Sequence, residues 1–413
     1  MTIHPGGRLS PNCRRSAAWS DAMTFRIAAL LGAAFTLLPL PAAARAPVVE
    51  RIVLLMRHGV RAPIVGEAPA DTRVSGTWPG WPVAPEHLTP HGAAVIAQVA
   101  RHDRRWLAAT GCPAPGSIRI RTNTPERTIA TGRAYAAALA PGCRIAVEHL
   151  DAPAVDPLFE PLRALATDFD AGQAVAAITA YTGGVDALTA RHVRAIRTLD
   201  RVLGCGLSAG CSTPGPATLR AGADGHGIEL TGPIRSTSGT AQVILLQYAE
   251  GMPMRDVGFG RADAATIRAI GSLHAALFDV FTRSPYMAAH QAGPVGRHML
   301  ATLTAAHGPR LEALVGHDTN VTALAAALRV DLGAPGFARN DVAPGGALVF
   351  ARMRDARGPF VAVSYRVQPL DAIRRGTATV LDVPIAVPGC AKRCPLDRFA
   401  ALLGKRLAPL APR

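Results

Sequence analysis

The stretch Arg51-Ile52-Val53-Leu54-Leu55-Met56 runs without alternation directly into Arg57-His58-Gly59-Val60-Arg61-Ala62-Pro63. A short, unbroken apolar run has the pattern of a strand buried on both faces, which requires cover above and below it. An open α/β sheet is the expected architecture. Two arginines and a histidine at the end of such a strand would be costly unless they hold an anion, and open α/β sheets place ligands at the carboxyl ends of their strands. The forked donors of arginine match phosphate oxygens. Set between two guanidinium groups, His58 is expected to stay neutral, and so nucleophilic, at mildly acidic pH.

Two further segments repeat this strand-to-loop design. Ile118-Arg119-Ile120-Arg121 alternates like a strand with one buried face, then passes through Thr122-Asn123-Thr124-Pro125-Glu126-Arg127 into a helical stretch, Thr128 to Leu139. Thr124 suits an N-cap and Pro125 the first helical position. Arg127 would then occupy the third helical position, beside free backbone N–H groups at the positive end of the helix dipole. The third segment, Leu311 to Gly316, leads into His317-Asp318-Thr319-Asn320 and a helix from Val321 to Leu328. Here His317 could bind the anion and Asp318 could give a proton.

Composition narrows the partner. The formal charge of +15 asks for an anion, but the arginines are scattered and aromatic residues make up only 5%, so no base-stacking groove is expected. A small phosphorylated molecule fits better than nucleic acid. The 413 residues, 49% of them hydrophobic, can bury a large core and suggest two lobes.

The N-terminal residues read as targeting. Met23-Thr24-Phe25-Arg26, the apolar run Ile27 to Leu40 and the small residues Ala42 to Ala44 form a secretory signal, with cleavage expected after Ala44 and Met23 a possible true start. Residues 1–44 are thus expected to be removed, with periplasmic or secreted localisation, no stable membrane anchor and no later spanning segment. Cys13 falls in the removed part, which leaves Cys112, Cys143, Cys205, Cys211, Cys390 and Cys394. Six cysteines allow about fifteen connectivities. Spacing suggests Cys205–Cys211 and Cys390–Cys394 as local closures, leaving Cys112–Cys143; a zinc site competes but lacks paired C-x-x-C knuckles.

Arg57-His58-Gly59-Val60-Arg61-Ala62-Pro63 and His317-Asp318 resemble the RHGxRxP and HD signatures of the histidine acid phosphatases, more narrowly the bacterial periplasmic phytase and glucose-1-phosphatase branch. Trp78-Pro79-Gly80-Trp81-Pro82, Leu88-Thr89-Pro90-His91-Gly92, Glu126-Arg127-Thr128 and Pro344-Gly345-Gly346 extend the likeness over residues 47 to 405. The resemblance implies a phosphoglycerate-mutase-like fold, a mixed sheet with helices on both faces. The α/β catalytic domain would comprise residues 45–164 and 301–413, with a helical domain, 165–300, inserted between. It implies phosphomonoester hydrolysis through a phosphohistidine. His58 would be the nucleophile and Asp318 the proton donor, with Arg57, Arg61, Arg127 and His317 on the phosphoryl oxygens. No metal or other cofactor is expected, and a monomer is. The alternative from another class is a non-catalytic binding protein for inositol phosphates or other polyanions.

Two departures bear on the substrate. Phytase-like members carry a hydroxyl and a lysine after the first motif's proline, where this chain has Ile64 and Val65; an acidic residue expected before Leu245-Leu246-Gln247 is Gln242. The surroundings of the scissile phosphate thus look less polar and less cationic than a dedicated phytase would need. Relatives also carry one more long-range disulfide, and both of its cysteines are absent here.

Overall fold

Residues 46–107, 111–205, 215–391 and 393–408 are described by a computed structural model. The expected leader, with Cys13, lies outside these residues, as does Cys211 of the expected Cys205–Cys211 closure.

The chain begins with β1 (Val48–Arg57), α1 (Pro90–Asp103), β2 (Ile118–Thr122), α2 (Glu126–Leu139) and β3 (Val147–Glu148). A mainly helical stretch follows: α3 (Ala171–Thr182), α4 (Val185–Leu203), the hairpin β4 (Leu219–Ala221) and β5 (Ile228–Leu230), α5 (Pro233–Ala249), α6 (Ala264–Phe281) and α7 (Pro285–Thr304). Then come β6 (Leu311–Gly316), α8 (Asp318–Ala327), β7 (Ala347–Asp355), β8 (Gly358–Val367), α9 (Leu370–Arg375), β9 (Leu381–Pro384), β10 (Cys394–Pro395) and α10 (Leu396–Leu407).

The main sheet has the order β10-β8-β7-β1-β6-β2-β3, with β9 pairing β8. As its sequence pattern requires, β1 is central, and residues 51–57 are all buried. It pairs parallel with β6, which pairs parallel with β2, and antiparallel with β7. Alternate residues of β1 serve opposite cores. Ile52, Leu54 and Met56 pack with Val99 of α1 and Tyr135 of α2. Val53 and Leu55 join the larger core, which also contains Ile178 of α3, Leu199 of α4, Ile244 of α5, Ile270 of α6, Met287 of α7 and Phe399 of α10. The fold is therefore the mixed α/β sheet covered on both faces. Contacts group Arg45–Arg413 into one unit, and buried residues of the inserted stretch join those of the sheet in one cluster.

The sequence reads as helical over residues 171–181, 185–203, 239–249 and 264–281; α4 and α6 have those limits, α3 runs one residue further to Thr182, and α5 starts at Pro233, ahead of Gly239. Helix α7 was not among these and contains Pro294. An interior proline removes a helical N–H and costs about 3 kcal/mol, which the buried Met287, Val295, Met299 and Leu303 offset through packing. The expectation of no later spanning segment needs correction at α6. By length and mean hydropathy, 1.2, it could cross a membrane. In this fold Ile267, Ile270, Leu273 and Phe278 bury its apolar side instead.

Candidate active site

The register of three neighbouring parallel strands assembles the site. Arg57 lies beside Gly316, and Thr122 beside Val315. The residues that follow, His58, His317 and Asn123, therefore emerge side by side at the carboxyl edge. Backbone bonds pin them: the N–H of His58 donates to Gly316 and that of Asn123 to Val315, both at 3.0 Å.

His58 is 2% exposed. Its Nδ1 donates to the Gly59 carbonyl at 2.9 Å, which leaves Nε2 with the lone pair. Burial, then the charges of Arg127, Arg61, Arg57 and His317, hold its pKa well below the ordinary histidine value. The neutral state expected from sequence thus rests first on burial and only second on the guanidinium groups. Behind the ring, the Gly345 N–H donates to the His58 carbonyl at 3.1 Å. Gly345 in turn accepts from buried Arg366 at 3.2 Å, and Arg366 donates to Asp103 at 2.6 Å.

Each of the three arginine candidates has a carboxylate to orient it, Asp318 for Arg57, Glu67 for Arg61 and Glu86 for Arg127. Arg61 forks onto Glu67, Nη1 to Oε2 at 2.7 Å and Nη2 to Oε1 at 2.8 Å. Burial opposes the Arg61 charge, but Glu67 more than compensates and raises its pKa. The Glu67 carbonyl packs on Gly239 of α5 so closely that any Cβ there would collide with it. Arg127 donates to Glu86 at 3.0 Å. Glu86 has φ of 72°, a left-handed conformation that costs a non-glycine residue about 1 kcal/mol, spent where the carboxylate must face Arg127.

Helix α2 begins one residue later than expected. Pro125, with φ −60° and ψ 144°, is the N-cap and makes no side-chain cap bond. Arg127 therefore sits at the second helical position, not the third. The displaced residue is Thr124, whose N–H is taken by Asn123 Oδ1 at 2.9 Å. That bond fixes the Asn123 amide, whose Nδ2 donates to His317 Nε2 and to Glu160 Oε1, each at 2.9 Å. Burial, then Arg127, pushes the His317 pKa down to about 4. His317 is the N-cap of α8, and Asp318 its first residue, three positions before the expected start.

The His58 and His317 rings meet edge to face, centroids 5.5 Å apart. Asp318 Oδ2 lies 2.9 Å from Arg57 Nη2, with fully buried Arg57 beneath it. Burial would raise the Asp318 pKa; Arg57, then His274, His317 and Arg61, override this and hold it far below the usual carboxylate range. All six candidates are thus brought together. His58, Arg61, Arg127, His317 and Asp318 line a cavity of about 490 Å³. Arg57 Nε, Arg61 Nε and Arg127 Nε are buried with no acceptor among the described residues. Unpaired buried donors are expensive, so this cluster is built to be completed by an anion.

The expected Cys112–Cys143 and Cys390–Cys394 disulfides are both present. Sequence reasoning missed Glu67, Glu86, Asn123 and Glu160. It also missed His274, whose Nδ1 is 2.9 Å from Asp341 Oδ1 and whose Nε2 is 3.9 Å from Asp318 Oδ2. No local pattern signals any of these, because each partner is distant in the chain or an ordinary loop residue.

No protein-family model matches the chain. Phytase AppA of Escherichia coli is 32% identical over 404 residues, covering 87% of this chain and 92% of the relative. The glucose-1-phosphatase of Salmonella typhimurium is 26% identical, covering 85% and 90%. Among solved structures, a Hafnia alvei phytase in complex with tartrate superposes with a TM-score of 0.81 at 28% identity, over 89% of this chain and 99% of that one. A Citrobacter braakii phytase gives 0.81 at 28%, over 88% and 98%. Identity at this level, sustained through nearly the whole of both chains and matched by the fold, is a family relationship, and the chain belongs to the histidine acid phosphatases.

Proposed function

We propose that this acid phosphatase works with His58 as nucleophile and Asp318 as acid and base. His58 Nε2 attacks phosphorus as the bond to the ester oxygen breaks, and that oxygen takes a proton from Asp318. Water then attacks the phosphohistidine, returns a proton to Asp318, and releases phosphate and neutral His58. Arg57, Arg61, Arg127 and His317 hold the phosphoryl oxygens, where transition-state charge must be stabilised. The carrying observation is the neutral, buried His58 ring ringed by arginines that retain buried donors without acceptors. Export is supported by the N-terminal apolar run and by the Cys112–Cys143 and Cys390–Cys394 disulfides, which favour an oxidising compartment.

For the substrate, we infer phosphomonoesters of a compact or apolar alcohol in preference to a densely phosphorylated ring. A second cavity of about 440 Å³ shares Ile64 with the first and is lined by Val65, Trp78, Trp81 and Val243. Glu67 is the only charged group among its described lining residues, and its charge has the wrong sign for further phosphates.

The test is phosphate release by residues 45–413 at about pH 5 from phytate, glucose 1-phosphate and an aryl phosphate, beside His58→Ala. Turnover abolished by the substitution is expected, with the aryl ester ahead of phytate. Equal release from both proteins would overturn the roles; binding without turnover would favour an anion-binding protein.

A further inference from the structure

We propose that His274, held by Asp341, is a positioning residue for the acid step, keeping one proton in a shared pair with Asp318. This rests on the role of Asp318 proposed above. His274 comes from α6 and is 7% exposed. A carboxylate oxygen only accepts, so the 2.9 Å contact to Asp341 Oδ1 makes Nδ1 the donor and turns Nε2 toward Asp318. A bare Nε2 lone pair facing a bare carboxylate would be repulsive. One proton between them removes the conflict, either as imidazolium and carboxylate or as imidazole and carboxylic acid. The 3.9 Å separation exceeds a direct hydrogen bond, so transfer requires a small side-chain shift that brings Nε2 and Oδ2 within reach.

The surroundings are shaped for this pair. Gly271 lies one helical turn before His274, and a Cβ there would come within 2.7 Å of Asp341 Oδ2. Only the missing side chain lets the buried carboxylate reach α6. Phe278 covers the imidazole edge to face at 4.6 Å. Arg57 from β1 and Arg61 from the following loop face Asp318 together with His317, while His274 faces Asp341, Asp318 and, at longer range, Glu67.

The proton count closes. In the free enzyme Arg57 favours the Asp318 carboxylate, which disfavours placing the shared proton on Asp318. When a substrate phosphate engages Arg57, the proton passes to Asp318 and then to the leaving oxygen as the P–O bond breaks. The pair is then empty. The attacking water refills it during hydrolysis of the phosphohistidine.

The experiment compares His274→Gln and Asp341→Asn with the parent on 4-nitrophenyl phosphate, whose leaving group needs no proton, and on glycerol 2-phosphate, whose leaving group does. We expect kcat for the glycerol ester to fall by ~10-fold or more, with 4-nitrophenyl phosphate changed less than about threefold. The basic limb of the pH profile should also move to lower pH. Equal losses on both esters, or an unmoved basic limb, would overturn the relay. Should His274→Gln fail to fold, Asp341→Asn decides, since it keeps the imidazole and removes the charge that holds its proton. Turnover surviving in His58→Ala would instead defeat the underlying mechanism, a separate result.

Discussion

Asp318 and Arg57 are locked together, carboxylate to guanidinium at 2.9 Å, before any substrate arrives. The residue proposed to deliver a proton is therefore held as its anion in the free enzyme. In the proposed mechanism binding breaks this pair, the substrate phosphate drawing Arg57 away and letting Asp318 take a proton.

Replacing Asp318 by asparagine should consequently divide substrates by leaving group. Loss of general acid help typically costs ~10²–10⁴-fold, which we expect for alkyl phosphates and to a much smaller degree for 4-nitrophenyl phosphate. Steady-state kcat on both esters checks this. A uniform loss would remove the acid role.

Anion binding should take up protons. Burial and neighbouring cations lower the folded-state pKa of both His58 and His317, the latter to about 4 from 6.5. Folding therefore excludes protons that the unfolded chain accepts, and the free protein loses stability as pH falls from about 6.5 toward about 4. A bound anion reverses part of this. Sulfate, whose own charge is constant over that range, should bind more tightly at pH 5 than at pH 7 and raise Tm more there. Titration calorimetry in two buffers of different ionisation heat would measure the proton uptake; equal affinity and no uptake would contradict it.

Glu67→Gln should leave Arg61 buried without its ionic partner. Breaking one side of a buried pair costs ~3–5 kcal/mol, and sulfate should recover much of it by supplying a new partner. Thermal melts with and without sulfate give the answer. A variant as stable as the parent in sulfate-free buffer would mean that Glu67 does not hold Arg61.

Val65 is 80% exposed at the rim of the apolar cavity. Val65→Lys, alone or with Ile64→Thr, adds the charge and hydroxyl that phytase-like relatives carry after their first motif. An exposed ionic contact is worth roughly 0.2–1 kcal/mol, so kcat/KM for phytate relative to an aryl phosphate should rise by a factor of about 1.4 to 5. An unchanged ratio would place substrate choice elsewhere.

The sheet and the anion cluster could be read because their signals are local. An unbroken apolar run ending in Arg57-His58, and another ending in His317-Asp318, each declare a buried strand and a ligand loop within ten residues. The strand register that unites them then follows from parallel pairing. What escaped notice is what tertiary structure supplies. Pro294 argues against the helix that in fact contains it, because packing outweighs propensity. Asn123, Glu67 and His274 are unremarkable until Glu160, Arg61 and Asp341 are found against them. The one-residue error at Arg127 arose because a proline can open a helix either as its cap or as its first residue.

Strand β1 also has a history in time. It is made early, yet its two neighbours in the sheet, Leu311–Gly316 and Ala347–Asp355, are made only after residue 310. Until then both hydrogen-bonding edges of β1 lack their native partners, although α1 and α2 already offer apolar cover to one face, and such long-range pairing is slow and exposes the chain to aggregation. His58, the proposed nucleophile, likewise waits for the far end of the chain, since Arg57 cannot meet Asp318 before then. A nascent or truncated polypeptide thus carries the first motif complete and still has no chemistry to perform.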